Sequence, residues 1–282
     1  MQLFIEHLTH IDSSYLHPEY GLAGASWLVD IIVSGDLDEQ GMVMDFSLVK
    51  QKVKKLIDNT IDHSLIIAAN DPNITLTKLA QNYKVTYKFN TGTIEHISPK
   101  DAISLIDNKE ITAKILESYL EAEITKELAT NNLSVQIKLR TEEIQGAHYV
   151  YSHGLKKHKG NCQRIAHGHR SQIKIYESKQ RNQALEQEWA KLWHGKYLAN
   201  QTDLTEKVFK EKLEYYIFSY QSSQGQFQLT IPAKCCYLLD CDTTIENLAT
   251  HICKNLNNKT GKKLTIYAYE GIDKGAISTY EN

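Results

Sequence analysis

Alternating strands, amphipathic helices and an internal repeat together predict an α+β fold made of two tandem units. Each unit is expected to be an antiparallel sheet with helices packed on one face, plus an inserted hairpin. The repeat is the strongest of the three observations. One copy runs from Tyr83 as YKVTYKFNTGTIEHISPKDAISLID, and the other from Tyr215 as YYIFSYQSSQGQFQLTIPAKCCYLLD. In both, an alternating strand leads to a Gly turn (Gly92, Gly225), a second strand, and a proline seven residues on (Pro99, Pro232). An aspartate follows eight residues later (Asp107, Asp240), ahead of an amphipathic helix. Both spacings match without an insertion.

The flanking elements repeat in the same order. Val49, Val53, Leu56 and Ile57 form a helical stripe before the first hairpin (about 83–98), and Leu185, Trp189, Leu192 and Trp193 form its counterpart before the second (about 215–231). After each second helix comes an alternating strand, LSVQIKL from Leu133 and LTIYAY from Leu264. Thr243 to Glu246 reads as a capping box opening the last helix. The chain divides into repeats 1–143 and 144–282, with IQGAHYVYSH (144–153) serving both as the end of one and the start of the other.

Composition narrows the partners. A formal charge of −2 with acids and bases interspersed argues against bulk attraction to nucleic acid or membrane. MQLFIEHLTHIDSS lacks a basic segment followed by an apolar core, so no signal peptide is expected, and no apolar run approaches membrane-spanning length. Four of the five cysteines crowd into residues 235 to 253, which suits reduced thiols in a cytoplasm better than a disulfide framework.

The chemistry concentrates in CQRIAHGHRSQIKIY (162–176). Ile173 and Ile175 alternate with Gln172, Lys174 and Tyr176, the period of a half-buried strand, so His167 and His169 point to one face. An isolated H-x-H is weak evidence of metal in a chain with twelve histidines. Cys162 differs from Cys235, Cys236, Cys241 and Cys253, read as inert thiols, in having Lys156, Lys157, Lys159 and Arg164 around it. Any one of those lysines is most simply a solvated loop residue. Asp62-His63 ends a periodic helix, though the two-residue word alone carries little weight.

YVYSH (149–153), C-x4-HGH (162–169), GDLDEQGMVMDF (35–46), IDH (61–63), TTIENLA (243–249) and YEGIDKGAISTY (269–280) together resemble the 6-pyruvoyl-tetrahydropterin and 6-carboxytetrahydropterin synthases of the tunnelling-fold (T-fold) superfamily. The resemblance spans nearly the whole chain, but neither half carries all of it. It implies that His153, His167 and His169 bind Zn2+, that Cys162 with Asp62 and His63 moves protons, and that Glu270 anchors the pterin ring. Three imidazoles with an open fourth position describe a catalytic zinc. His158 is a rival to His153, being nearer the cysteine. At the metal positions the first repeat has Tyr15, Ala23 and Ala25, and Thr141 (or Glu142) falls where the glutamate should be. The second repeat is expected to carry Trp193-His194 in place of Asp62-His63.

This complementary loss predicts one composite site, with metal and thiol from the second repeat and the relay from the first. The function implied is a zinc-dependent lyase converting dihydroneopterin triphosphate to 6-carboxytetrahydropterin, with loss of triphosphate and acetaldehyde, on the route to queuosine. The loop lysines would help to hold the triphosphate. A 6-pyruvoyl-tetrahydropterin synthase or another pterin enzyme of this fold is the alternative, and a non-catalytic pterin-binding module the rival from another class. A cytoplasmic homo-oligomer is expected.

Overall fold

The structure, a computed structural model, describes residues 1–128 and 133–279; Tyr280, the last residue of YEGIDKGAISTY, lies outside them. The first repeat opens with two long strands, β1 (Gln2–His17) and β2 (Gly21–Ser34). Helix α1 (Phe46–Thr60) is capped by Asp45 of the GMVMDF segment, whose side chain accepts from the N–H groups of Ser47 and Leu48. Val49, Val53 and Ile57, four apart, form its buried face. Each such side chain contributes roughly 1.5–3 kcal/mol on burial, so Val53→Asp would unseat the helix. Then come β3 (Leu65–Ala68), β4 (Ile74–Leu79), β5 (Asn82–Phe89), β6 (Gly92–Pro99), β7 (Ile103–Ile106), α2 (Ala113–Glu127) and β8 (Ser134–Arg140).

The second repeat follows the same plan. Its elements are β9 (His148–His153), β10 (His167–Glu177), the short β11 (Gln180–Arg181), α3 (Gln183–Trp193), β12 (Lys196–Asn200), β13 (Leu204–Lys210), β14 (Leu213–Ser222), β15 (Gly225–Pro232), β16 (Cys236–Leu239), α4 (Ile245–Thr260), β17 (Leu264–Tyr269) and β18 (Gly275–Thr279). The main sheets run β7-β3-β1-β2-β8 and β16-β12-β9-β10-β17-β18. Their long strands are antiparallel, as expected. The short β3, β7, β12 and β16 add parallel pairs at one edge of each sheet. LIIA and ISLI lack alternation because both faces are covered, so the sequence pattern hid them.

The inserted hairpins are each one strand larger than expected, gaining β4 and β13. They join into one sheet, β13-β14-β15-β6-β5-β4, where Leu229 of β15 pairs with His96 of β6. The described residues form three apolar cores. One lies under each helix pair, around Val53 and Leu120 and around Trp193 and Ile252, and one lies beneath the shared sheet, around Phe218 and Phe227.

Two local expectations shift by a position. Leu192 is 44% exposed, and α3 instead buries Glu186, Trp189, Ala190 and Trp193. Glu186 is tolerated inside because it accepts from Ile175 N–H and pairs with Arg181. The cap of α4 is Thr244, accepting from Asn247 N–H, and not Thr243.

What positions the site is the contact between the repeats. Tyr15 pairs with Ala23 in β1–β2, and His153 with His167 in β9–β10, so the two ladders superpose in register. These strand pairs cross at Gly24 and Gly168. A Cβ on Gly24 would lie 2.0 Å from Tyr151 O, and one on Gly168 would lie 2.7 Å from Gly24 Cα. Only glycine permits this approach.

Candidate active site

His153 ends β9, and His167 and His169 begin β10 directly opposite, so strand pairing alone gathers all three. Each is buried, and one ring nitrogen from each lies within 4.8 Å of the others. Burial, with the neighbouring imidazoles, holds His153 and His167 well below the usual histidine pKa, so both rings are neutral.

The surroundings assign the tautomers. His153 Nδ1 is 3.1 Å from Thr243 O, His167 Nδ1 is 3.0 Å from Arg164 O, and His169 Nδ1 is 3.3 Å from Asp12 Oδ1. Each Nδ1 therefore carries the proton toward an acceptor, and each Nε2 presents a lone pair. The Nε2 atoms of His153 and His169 stand 3.1 Å apart. Lone pairs converging this closely repel unless a cation lies among them, so the donor set fits Zn2+, with a thiol nearby but outside the set. Thr243, freed from capping, is the residue the sequence reading missed at His153.

The first repeat supplies the neighbouring groups. Asp62-His63 follows α1, with His63 at φ 51°, a conformation that costs a non-glycine residue energy and persists here at a site. His63 Nδ1 lies 2.6 Å from Asp62 Oδ2, and the His63 ring is 5.2 Å from that of His167. His63, Cys162 and His167 also offer ligand atoms within 4.8 Å of one another. Burial works against charging His63, but hydrogen bonds to Asp62 and Cys162 outweigh it and raise its pKa to about 10. Thus Asp62, His63 and Cys162 form one chain ending beside the three imidazoles, within a single polypeptide.

Asp12 crosses this chain. Its N–H donates to Asp62 Oδ1 at 2.8 Å, and its carbonyl accepts from His63 N–H at 2.8 Å. Its carboxylate is fully buried. Burial raises its pKa, but His169, Lys274 and Ser26 more than reverse this and hold it well below the usual carboxylate range.

Cys162 sits on a one-turn 3-10 segment (Asn161–Gln163) in the loop joining β9 to β10. In the first repeat a tight turn replaces this loop. Asn161 Nδ2 donates to Asp58 O at the end of α1, and Arg164 Nη1 donates to His63 O. The turn of the second inserted hairpin braces the loop from behind. Gln224 N–H and Ser223 Oγ donate to Gln163 Oε1, Gln224 Nε2 donates to Asn161 Oδ1, and Tyr220 O–H donates to Gln163 O.

The expected equivalence of Trp193-His194 to Asp62-His63 is displaced by one residue. Leu65 pairs with Ser14 and Tyr197 with Ser152, and Gly195 N–H bonds Val150 O as His63 N–H bonds Asp12 O. Gly195, at φ 70°, therefore stands where His63 does, and His194 where Asp62 does. Trp193 belongs to the core. Around Tyr15, the first repeat holds aromatic contacts from His17 through Tyr20 to His194 in place of metal ligands.

Other expected residues fall as follows. Glu270 is half-buried at the β17–β18 turn, where its charge and that of Asp12 outweigh burial and raise the Lys274 pKa. Strand register puts Thr141 at the equivalent place, since Leu139 matches Ala268 through Val29 and Ile173. His158 is exposed, accepts from Gly160 N–H, and is not among the clustered imidazoles. Lys156 and Lys157 are already paired, with Asp203 and Asp242, beside a cavity of about 240 Å³. This weakens their case as triphosphate ligands.

A family model described as 6-pyruvoyl tetrahydropterin synthase matches residues 5–143 and again 142–281. Among curated proteins, a 6-carboxy-5,6,7,8-tetrahydropterin synthase from Rickettsia typhi is 37% identical over 81 residues, covering 27% of this chain and 57% of that protein. The Rickettsia bellii protein of the same name is 35% identical over 106 residues, covering 37% of this chain and 68% of its own. Among solved structures, 6-pyruvoyl tetrahydropterin synthase from Plasmodium vivax aligns with a TM-score of 0.42 at 22% identity, over 51% of this chain and 93% of that one.

Proposed function

The chain belongs to the 6-pyruvoyl tetrahydropterin synthase family, and from that premise we propose that it is a zinc-dependent lyase. Its substrate would be dihydroneopterin triphosphate, and its products 6-carboxytetrahydropterin, acetaldehyde and triphosphate, as in the route to queuosine. The observation that supports this most is the meeting of the Asp62–His63–Cys162 chain with three converging Nε2 lone pairs. The names of the curated relatives favour the carboxy product over the pyruvoyl one.

His153, His167 and His169 would hold the Zn2+, leaving a position for a substrate oxygen. When bound, the ion would polarise that oxygen and stabilise negative charge developing on it. Cys162 would accept a proton from the adjacent side-chain carbon, and His63, protonated at neutral pH, would donate one to the substrate. Asp62 orients the His63 imidazolium and balances its charge. Glu270 would accept from the adjacent N–H groups of the pterin, a bidentate fit for a carboxylate.

The setting we propose is a reduced cytoplasm, consistent with five free cysteines. No described helix is long and apolar enough to cross a membrane. A symmetric homo-oligomer is part of the reading: β18 ends its sheet with Ile277 62% exposed, an edge another chain would cover. Sedimentation as a monomer with full activity would remove that part.

The test of the reaction is product analysis by mass spectrometry after incubating the zinc-loaded protein with dihydroneopterin triphosphate. The carboxy product with acetaldehyde is expected. A pyruvoyl product without acetaldehyde would select the alternative reaction. Tight pterin binding without consumption would overturn the lyase reading and leave a binding module.

A further inference from the structure

We propose that Asp12, contributed by the repeat that has lost its own metal ligands, is the positioning residue for the His169 imidazole. The inference rests on the metal reading above. His169 Nδ1 is buried with no hydrogen-bond partner of strict geometry, and Asp12 Oδ1 stands 3.3 Å from it, at ion-pair distance. A carboxylate there draws the ring proton to Nδ1 and turns the Nε2 lone pair toward His153. Histidines that bind metal characteristically have such a partner on the other ring nitrogen.

The carboxylate is itself held from three sides. Ser26 Oγ donates to Oδ1 at 2.5 Å and Lys274 Nζ to Oδ2 at 3.1 Å. Gly271, at φ 70°, lets the β17–β18 turn come so near that a Cβ there would lie 2.5 Å from Oδ1. With its backbone carrying Asp62 and His63, Asp12 ties the relay and the metal set into one unit.

Comparison of the repeats supports a role toward the imidazole over a general structural one. In register, Asp12 of the first repeat corresponds to Val150 of the second, and His169 of the second to Ala25 of the first. The carboxylate is present where it meets an imidazole. Where the imidazole is missing, an apolar residue stands in its place. A residue serving only to join the repeats would have no reason to follow the ligand.

Zn2+ affinity, read by competition with a chromophoric chelator, tests this without reference to turnover. Asp12→Val, which copies the second repeat, should weaken Zn2+ by about 10- to 100-fold. Asp12→Asn, which keeps a neutral acceptor and safeguards the test if the valine variant misfolds, should lie between it and the parent. Lys274→Met, which removes the ion pair but leaves the carboxylate on His169, should change affinity less than about threefold. The Co2+-loaded parent and Asp12→Asn should also differ in their visible absorption, because the donor ring is released. Affinity and spectrum unchanged in both Asp12 variants would overturn the inference while leaving the proposed function standing. So would Lys274→Met matching Asp12→Asn. A parent protein that takes up no Zn2+ would overturn both.

Discussion

Ser14 and Ser152 hold the same place in the two repeats and are hydrogen-bonded to each other, Oγ to Oγ at 2.7 Å. With Gly24 against Gly168, this marks a local two-fold relationship inside one chain. Equivalent strands meet back to back, so residues just off the axis face the other repeat. That is how Asp12 and His63 reach His169 and His167. The same relationship creates a second location around Tyr15, where aromatic rings replace ligands.

Because relay and metal set meet within one chain, Cys162→Ala and His63→Ala should each abolish most turnover while sparing zinc content. The double variant should be scarcely worse than the poorer single, as residues acting together are non-additive. Mixing and refolding the two single variants together should restore no activity. Recovery on mixing would show that the working site takes its halves from different chains.

Among the described residues only the second repeat gathers three imidazoles, so one Zn2+ per chain is expected. His169→Ala should lose the ion at micromolar chelator. Two ions per chain, both retained in His167→Ala, would contradict this allocation.

Gly24→Ala should be among the most damaging single-methyl additions. Its Cβ would meet Tyr151 O at 2.0 Å and His169 N at 2.5 Å, both backbone atoms that cannot move aside singly. Overpacking typically costs about 1–3 kcal/mol, and the upper end is expected here, together with weakened zinc binding. Gly160→Ala, at φ −95° and with only the His158 ring at 3.4 and 3.5 Å from its Cβ, is the control for steric clash. Thermal denaturation compares them.

Strand periodicity put His167 and His169 on one face, the family resemblance supplied the rest of the expected site, and Gly92 and Gly225 do turn the hairpins where the repeat put them. Asp12 was invisible, because a polar residue in a strand looks solvent-facing until the opposing repeat is known to cover it. The offset at Trp193-His194 arose because helix ends drift, whereas the β12–β9 register is fixed by hydrogen bonds. Likewise, nothing near Lys156 or Lys157 announces partners as distant as Asp203 and Asp242.

Acid should loosen the shared sheet through His96. It is fully buried where β6 meets β15, and burial lowers its pKa to about 3. Above pH 6.5 it is neutral whether folded or unfolded, so it adds no pH dependence. As pH falls from 6.5 toward 3, the unfolded chain takes up a proton that the folded one refuses, and stability declines. The limit is roughly 5 kcal/mol. His96→Phe should flatten this part of the stability profile in urea titrations between pH 7 and 4.5. An unchanged slope would rule out His96 as its source.

The inserted hairpin should control turnover without touching the metal. Gln224 Nε2 donates to Asn161 Oδ1 at 2.8 Å, and Arg164 Nε donates to Gln224 Oε1 at 3.2 Å, on either side of Cys162. Gln224→Ala removes both bonds but leaves the Gln224 N–H contact to Gln163 and the whole β14–β15 ladder in place. Two such bonds contribute about 1–3 kcal/mol. That loss falls on the loop carrying Cys162, whose position relative to His63 depends on Asn161 and Arg164. A loss of about 1 or 2 kcal/mol lowers the ratio of loops in place to loops displaced about 5- to 30-fold, so turnover should fall by up to that factor. Zinc content should stay at the parent level, since the loop provides no proposed ligand. Parallel loss of zinc and turnover would mean that the hairpin supports the strands under His167. Unchanged turnover would mean that Gln163 and Tyr220 hold the loop unaided.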